Sequence, residues 1–220
     1  MKETEYWNSF YSEKKAPILK TPFALWLTKK IDFKNKNIIE FGSGNGRDSF
    51  FFKDKCKKII AFDGSDSAVK ISNEKLKNKY KEKGYRRNLA FKKLALTNKN
   101  IETDHKINFN VDISYSRFFL HALNSAQEKL LIKFISSIHK KGSYSAHEFR
   151  TLRDPLMRGK KHNKKNELIT DHYRRFIDPL NIISLFNTFN LRTIFFEESK
   201  DFAIYGNDRP SVARIILIKD

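Results

Sequence analysis

The chain has 220 residues, enough for one domain with a substantial core, and its 44 lysines and arginines against 25 acidic residues give a formal net charge of +19. A single cysteine excludes a disulfide framework and a cysteine-type zinc site, and we expect no metal ligands. No window approaches the apolar length of a membrane span, and the first residues lack the apolar core of a signal peptide, so we expect a cytoplasmic protein without membrane insertion.

Strand and helix signals alternate along the chain, which predicts an α/β fold with a mostly parallel sheet in one domain, residues 1–220. A helical, aromatic segment at 4–31 precedes the sheet. We expect the polar, irregular segment at 150–177 to be an insertion on the substrate side of the sheet, at the rim where the carboxyl ends of its strands lie. Ser65 is the predicted N-cap of the second helix of the alternating part, and Gly84 is its predicted stop. The predicted elements of that part are strand 37–41, helix 46–54, strand 58–62, helix 65–83, strand 88–94, strand 107–114, helix 124–140, strand 143–149, helix 178–189, strand 191–197 and strand 211–218.

The most specific motif joins the first predicted strand to the helix after it. The strand ends at Glu40, and glycines follow at alternate positions, Gly42, Gly44 and Gly46. Glycine permits a tight turn and a close approach of a ligand to the backbone, and the helix N-terminus behind it offers free N–H groups. The next apolar strand ends at Asp63, about 20 residues later, where a carboxylate can accept hydrogen bonds from ribose hydroxyls. The motif therefore predicts a nucleoside-containing cofactor.

The spacing of the glycines separates two cofactor classes. A dinucleotide fingerprint, G-x-G-x-x-G, needs its third glycine where this chain has Arg47, and Glu40 in front of the loop suits a cationic amine better than a phosphate. The stretch resembles motif I of the class I S-adenosylmethionine (SAM) methyltransferases, E/D-x-G-x-G-x-G, with Asp63 in the ribose-binding place. It departs mildly from that pattern, because Glu-Phe-Gly-Ser stands where Asp-Leu-Gly-Cys is common.

The resemblance implies a Rossmann-like fold with a seven-stranded, mostly parallel sheet of order 3-2-1-4-5-7-6, in which strand seven is antiparallel and helices cover both faces. It implies SAM as cofactor and S-adenosylhomocysteine (SAH) as product, with the adenine between the turns after strands two and three. The implied cofactor-binding residues are Tyr11, Glu40, Gly42, Ser43, Gly44, Gly46, Arg47, Asp48, Asp63, Gly64, Ser65, Ala95, Leu96, Tyr115, Ser116 and Arg117.

Polar residues near the ends of the later strands are candidates for the acceptor side. His121 is a candidate general base or substrate contact, and equally a helix-start histidine bound by backbone. Glu148 and Arg150 share one face of a strand, so we expect them to pair, at the site or as a structural ion pair. Arg174 and Arg175 suit a bidentate grip on phosphate or carboxylate, with a solvated basic turn as the alternative. The predicted substrate residues are His121, which is also the predicted catalytic residue, Glu148, Arg150, His172, Tyr173, Arg174 and Arg175.

The N-terminal segment, residues 1–31, is predicted to form a lid over the cofactor. One helical face can present Trp7, Phe10 and Tyr11 together, outside the alternation that builds the sheet.

Four further segments carry a narrower resemblance: 7–11, 116–121, 148–154 and 171–176. They resemble a bacterial subgroup of these methyltransferases associated with surface-polysaccharide modification, including capsule phosphoramidate methylation. The resemblance implies O-methylation of a small polar anionic acceptor, nucleotide-linked or saccharide-based. The chain lacks the Asn/Asp-Pro-Pro-aromatic signature of amino methyltransferases, which disfavours methylation of nucleobase nitrogen.

The positive charge does not identify a binding partner. Its lysines are scattered along the chain, so a dispersed basic surface explains the charge as well as a nucleic acid or an anionic substrate does. Three interpretations remain: a small-molecule O-methyltransferase, an RNA or protein methyltransferase that uses the basic surface, and a SAM-binding protein without catalysis. The sequence leaves the oligomeric state unassigned.

Overall fold

The computed structural model describes residues 3–13, 16–81, 85, 87–103, 106–158, 166–169 and 171–220. Its helices are α1 Glu3–Ser12, α2 Pro22–Lys30, α3 Arg47–Phe52, α4 Asp66–Lys79, α5 Ser125–Ile138 and α6 Pro179–Thr188. Its strands are β1 Asn37–Phe41, β2 Lys58–Asp63, β3 Leu89–Leu96, β4 Ile101–Thr103, β5 Val111–Arg117, β6 His139–Arg150, β7 Glu167–Ile169, β8 Tyr173–Arg175, β9 Leu191–Ser199 and β10 Val212–Lys219. Single 3-10 turns lie at Leu120–Ala122 and Pro155–Met157.

Eight strands form the main sheet in the order β4-β3-β2-β1-β5-β6-β10-β9. The five strands from β3 to β6 run parallel, β10 is antiparallel to both of its neighbours, and β4 is antiparallel to β3. Without β4 the order is the expected 3-2-1-4-5-7-6, so the fold class is confirmed and the strand count of seven is wrong. β4 has only three residues, Ile-Glu-Thr, too few to show strand periodicity.

The sheet has an apolar core on each face, which explains why β1 is apolar at successive positions. Ile39 belongs to the core that also contains residues of α5 and α6, while Ile38 belongs to the core that contains Phe23 of α2 and Phe52 of α3. Successive side chains of a strand point to opposite faces, so a strand buried on both faces is apolar throughout. The resulting helix–sheet–helix layers leave the carboxyl ends of the parallel strands open for a site.

Local capping fixes where the helices begin. Ser65 Oγ accepts the Ala68 backbone N–H at 3.1 Å, which confirms Ser65 as the N-cap of α4. Asn124 caps α5 and forms a reciprocal capping box with Gln127. Helix α4 ends at Lys79, and its predicted stop, Gly84, lies outside the described residues.

The boundary between α5 and β6 differs from the expectation. The helix was expected to reach residue 140 and the strand to begin at 143, but α5 ends at Ile138 and β6 begins at His139. Lysines followed by Gly142 are typical of a helix end, but here Gly142 has a φ of +82° inside the strand. The pairing of β5 with β6 also shifts register in this region.

The polar segment after β6 contains more regular structure than its composition predicts. Thr151 bridges to Ile177, a 3-10 turn follows at Pro155–Met157, and β7 pairs with β8 in a separate antiparallel pair. Residues 159–165 and 170 of the predicted insertion lie outside the described residues. None of the described helices has the length and apolar character needed to cross a bilayer.

Candidate functional site

A cavity of about 500 Å³ lies at the carboxyl ends of β1, β2, β3 and β5. Thirteen of the sixteen predicted cofactor residues line it, whereas Gly46, Tyr115 and Ser116 do not. The thirteen are Tyr11, Glu40, Gly42, Ser43, Gly44, Arg47, Asp48, Asp63, Gly64, Ser65, Ala95, Leu96 and Arg117. The fold therefore gathers residues that are up to 106 positions apart around one space, counting from Tyr11 to Arg117 (117 − 11).

The glycine loop forms one wall of this cavity with bare backbone. Gly42 has a φ of +72°, and a Cβ added there would lie 2.6 Å from the ring of Phe119. Gly44 also has a positive φ, +54°, and a Cβ there would collide with the Tyr11 hydroxyl. Both positions exclude larger residues by backbone conformation and by space, so a ligand can approach the backbone closely here. The two N–H groups are used within the protein, by the Phe62 carbonyl oxygen and by Asp63.

Asp63, at the end of β2, connects that strand to the glycine loop. Its Oδ2 accepts the Gly44 backbone N–H at 2.7 Å and its Oδ1 accepts the Ser65 backbone N–H at 2.8 Å. Burial raises the pKa of Asp63, and the hydrogen bonds from the backbone oppose that rise. Each carboxylate oxygen keeps a second lone pair, so the residue can accept further hydrogen bonds from a ligand in the cavity.

Two more carboxyl groups lie beside the loop. Glu40 accepts a hydrogen bond from Ser49 Oγ, and its pKa is raised well above the usual range by burial and then by the negative charge of Asp48. Asp48 accepts the Thr21 backbone N–H at 2.7 Å and the Tyr115 hydroxyl at 2.7 Å. Asp48 therefore ties the start of α3 to β5 and to the residue before α2.

The remaining predicted cofactor side chains are used inside the protein. Tyr115 is fully buried, with its ring centroid 5.1 Å from that of Phe23. Ser116 Oγ is 2.7 Å from His147 Nδ1, and the other ring nitrogen is 2.7 Å from Ser145 Oγ. Burial lowers the pKa of His147 to about 3, so the ring is neutral and joins the two serines in a buried hydrogen-bonded chain.

His121 lies next to the cavity but outside its lining. Its Nδ1 accepts the Arg150 backbone N–H at 3.2 Å, and its ring centroid is 5.0 Å from that of Phe118. Burial lowers its pKa well below 6.5, and the charge of Arg150 lowers it further. A neutral imidazole with its Nδ1 lone pair in use carries its proton on Nε2. The geometry therefore corrects the general-base expectation and matches the alternative, a histidine bound by backbone.

The expected ion pair between Glu148 and Arg150 is wrong. Glu148 is fully buried and accepts hydrogen bonds from Arg117 Nε and Arg214 Nε, each at 2.8 Å. The three residues occupy one row across β5, β6 and β10, because Arg117 and Arg214 are both register partners of Glu148. Burial raises the pKa of Glu148, and the two guanidinium groups lower it.

Arg150 instead pairs with acids outside the strand. Its Nη1 lies 2.9 Å from Asp154 Oδ2, and its Nη2 pairs with Asp208 of the β9–β10 connection. Arg150 is thereby fixed between two loops of the rim.

Both arginines of the predicted anion clamp, Arg174 and Arg175, contact other groups of the protein. Arg175 Nε donates to the Leu123 carbonyl oxygen at 2.9 Å and its Nη2 pairs with the buried Glu128, so this guanidinium is occupied. Arg174 Nη1 is 3.1 Å from Asp171 Oδ1. In the part of the chain that the structure describes, the cavity lining includes neither arginine, nor their neighbours His172 and Tyr173.

Helix α1 contributes one part of the cavity wall. Trp7, Phe10 and Tyr11 contribute to the lining, while α2 packs into the core through residues such as Phe23. The Asn8 side chain accepts the Ser65 hydroxyl at 2.7 Å.

At its other side α1 reaches the segment after β7. The Tyr6 hydroxyl donates to Asp171 Oδ2 at 2.9 Å, and the Tyr6 ring stacks on His172 with centroids 4.4 Å apart. Burial lowers the pKa of His172 to about 4, which leaves the stacked imidazole neutral at pH 7. Helix α1 is thus attached on both sides of the cavity mouth.

Some lining residues were not in the predicted set. Phe118 and Phe119 follow β5 directly, but the predicted strand ends at residue 114, so the sequence did not place this aromatic pair at a strand end. Lys93 and Gln127 also line the cavity, but nothing in their local sequence distinguishes them from other surface residues.

Comparison with protein-family models and with curated proteins gives no match. Solved structures do match. A SAM-dependent methyltransferase from Methanosarcina mazei has a TM-score of 0.69 at 13% identity, over 88% of this chain and 96% of its own. The CcbJ methyltransferase from Streptomyces caelestis has a TM-score of 0.68 at 12% identity, over 100% and 99%. Magnesium protoporphyrin IX methyltransferase from Synechocystis with bound SAH has a TM-score of 0.64 at 11% identity, over 90% and 80%. At these identities the similarity establishes the architecture: the chain has the Rossmann-like fold of SAM-dependent methyltransferases.

Proposed function

We propose that this chain is a SAM-dependent methyltransferase that methylates an oxygen atom of a small, polar, anionic acceptor. The observation that carries the proposal is the cavity at the strand ends, with the bare glycine loop on one wall and Asp63 beside it. Fold similarity alone would not support an activity, because one fold serves many functions.

The cavity residues fit the cofactor. Asp63 would accept the ribose hydroxyls, and the adenine would lie between Gly64 or Ser65 and the residues at the end of β3, Leu94 to Leu96. The amino-acid end would lie over Gly42, near the buried acid Glu40. A volume of about 500 Å³ is in the usual range for cofactor pockets. When bound, SAM supplies an electrophilic methyl group on a sulfonium.

The protein's own contribution is alignment, exclusion of water and control of charge. Helix α1 covers the cavity with Trp7 and Phe10, which would keep water from the reacting atoms. His121 offers no lone pair to remove a proton, since Nδ1 is in use. This favours an acceptor oxygen that already carries negative charge over a neutral sugar hydroxyl.

The acceptor class rests on the sequence resemblance and on this charge argument. A nucleotide-linked or saccharide metabolite of surface-polysaccharide synthesis, including a phosphoramidate, is the narrower form of the proposal. The acceptor of a structural neighbour, magnesium protoporphyrin IX, differs in size and chemistry from such a metabolite, so the fold does not select among acceptors.

The test has two stages. Calorimetry should show SAH binding to the purified protein, and mass spectrometry should then show transfer of one methyl group to a member of a panel of phosphorylated and nucleotide-linked saccharides. Absence of SAH binding would overturn the proposal. Binding without transfer to any acceptor would support the non-catalytic alternative.

The net charge of +19 favours RNA as a second candidate acceptor. An RNA-binding protein that neutralises several phosphates loses affinity steeply as salt rises. A steep negative slope of log affinity against log salt for a structured RNA, with methyl incorporation, would favour this candidate over the small molecule.

A further inference from the structure

We propose that Arg117 and Arg47 form an oxyanion subsite in the cavity, which holds a phosphate or carboxylate group of the methyl acceptor. The inference rests on the proposed function and names the group of the acceptor that the site recognises. It places the anion-binding arginines at the end of β5 and the start of α3, instead of at Arg174 and Arg175.

Arg117 is held in one orientation by its neighbours. Its Nε donates to Glu148 at 2.8 Å, and its guanidinium carbon lies 4.2 Å from the centroid of the Phe118 ring. Glu148 cannot shift to follow it, because its second oxygen accepts a hydrogen bond from Arg214. The side chain is therefore pre-organised, and little rotamer freedom remains to be lost when a ligand binds.

The outer nitrogens of Arg117 are available on the cavity side. Among the residues that the structure describes, its Nη1 and Nη2 make no hydrogen bond or ion pair, while the residue lines the cavity. Two adjacent N–H donors in one plane are the geometry that grips a carboxylate or phosphate with paired hydrogen bonds.

Arg47 brings a second guanidinium to the same space. It begins α3 and lines the cavity, and its guanidinium has no hydrogen-bonding or ionic partner in the described part of the chain. Arg47 and Arg117 both line the cavity. Burial lowers the pKa of Arg47 and the charge of Arg117 lowers it further, while the negative charge of Asp48 opposes this effect. An unpaired, partly buried charge such as that of Arg47 is costly, and an arriving anion would relieve it.

The charges on the lining favour the acceptor as the source of this anion. Glu40, Asp48 and Asp63 all lie at the glycine loop, where they suit a cofactor with net positive charge. The cofactor's single carboxylate is accompanied by its own ammonium and sulfonium, so it cannot balance two arginines. Phe118 provides apolar surface beside Arg117, and Trp7 adds apolar surface elsewhere on the cavity lining, for the body of an acceptor.

In the experiment, inorganic phosphate is titrated into the full chain saturated with SAH. Phosphorus NMR measures binding, and chloride keeps the ionic strength constant. We expect a saturable shift of the phosphate signal for the wild type. Arg117→Lys keeps the positive charge but loses the two adjacent N–H donors in one plane. It should therefore weaken phosphate binding roughly tenfold while SAH affinity stays the same. Arg47→Gln should have a similar effect, and Arg174→Lys is the matched control that should bind phosphate as the wild type does.

Each contrary result has its own meaning. A phosphate shift that does not saturate, or that Arg117→Lys leaves intact in a folded protein, overturns the subsite. If Arg117→Lys weakens SAH binding, and SAH displaces phosphate from the wild type, the arginines bind the cofactor's carboxylate and the acceptor assignment is overturned. Failure of the wild type to bind SAH overturns the proposed function alone, because the phosphate titration without SAH still tests the arginine pair.

Discussion

Asp63 Oδ2 accepts the Gly44 backbone N–H at 2.7 Å, and this bond joins the end of β2 to the middle of the glycine loop. The same carboxylate accepts the Ser65 N–H, so it holds the loop and the start of α4 in a fixed relation. The residue proposed to receive the ribose is therefore oriented before any ligand binds, which lowers the entropy lost on binding.

Asp63→Ala is expected to weaken SAH binding roughly tenfold, about 1.4 kcal/mol, because hydrogen bonds to a charged acceptor are lost. Calorimetry with SAH measures the effect. Glu74→Gln, on an exposed position of α4, is the control for loss of one negative charge. Equal affinities for Asp63→Ala and the wild type would remove the ribose assignment.

Gly42→Ala should lower both stability and SAH affinity. The added methyl must enter a left-handed backbone position and would meet the Phe119 ring. Gly142→Ala is a matched control, since Gly142 has a φ of +82° and nothing within 4 Å of an added Cβ. We expect Gly142→Ala to lose about 1 kcal/mol of stability in urea unfolding and to keep its SAH affinity. Gly42→Ala should lose more stability than this, and should also bind SAH more weakly. Identical behaviour of the two variants would contradict a role for the space beside Gly42.

Deletion of residues 1–13 tests the cover formed by α1. Among the residues that the structure describes, neither core cluster contains one from α1, so the shortened protein should unfold cooperatively near the wild-type midpoint. It should lose SAH affinity and methyl transfer, because Trp7, Phe10 and Tyr11 no longer line the cavity. Tyr6→Phe, which removes only the hydrogen bond to Asp171, is the milder comparison. Full SAH affinity and activity without α1 would exclude the lid.

Arg175→Lys should destabilise the fold, and Arg174→Lys should not. Lysine cannot both donate to the Leu123 carbonyl and reach Glu128, so a buried hydrogen bond is lost at a cost of about 1–3 kcal/mol. Arg174 is closer to solvent and pairs with Asp171, so its change should stay within about 0.5 kcal/mol. Urea unfolding of the two neighbours gives the comparison. A raised KM for the acceptor in Arg175→Lys at unchanged stability would instead support the anion clamp.

The buried His147 should make stability fall in mild acid. Its pKa in the folded state is about 3 against an ordinary 6.5, so below pH 6.5 the unfolded chain binds a proton that the folded state does not. The associated stability is complete above pH 6.5 and is lost progressively as the pH falls toward 3. Between pH 7.5 and pH 5 the wild type should lose about 2 kcal/mol more than His147→Gln, measured by urea unfolding. Parallel pH profiles for the two proteins would show that the pKa of His147 is the same in the folded and unfolded states.

Local signals predicted the first two strands closely, whereas the strand expected at 107–114 is β5, Val111–Arg117. β1 was placed correctly and β2 within one residue, because a β-branched run, glycines and an acid mark those ends directly in the chain. β4 is too short to show strand periodicity, although it pairs with its neighbour in sequence, and the start of β6 depends on pairing with a distant strand. The three residues of β4 have a partner only through β3, and His139 joins the sheet through Val111.

The residues of the candidate site also divide into those that local sequence predicts and those that depend on strand pairing. Asp63 and the glycine loop lie within one strand–helix–strand unit, so spacing along the chain was sufficient to identify them. The row formed by Arg117, Glu148 and Arg214 depends on register across three strands, which no local pattern shows. Glu148 was therefore assigned to Arg150, its neighbour in sequence, when its partners come from β5 and β10.

Helix α1 is attached to one side of the cavity mouth through Asn8 and Ser65 and to the other through Tyr6 and Asp171. Each attachment includes a side-chain hydrogen bond worth about 1 kcal/mol, and ring stacking on His172 adds to the second. These contacts are weaker than the stability of a folded domain. Opening of α1 should therefore be a local event that occurs many times before the protein unfolds. If a spent cofactor beneath the helix leaves through such an opening, its departure rather than the chemical step would set the rate of turnover.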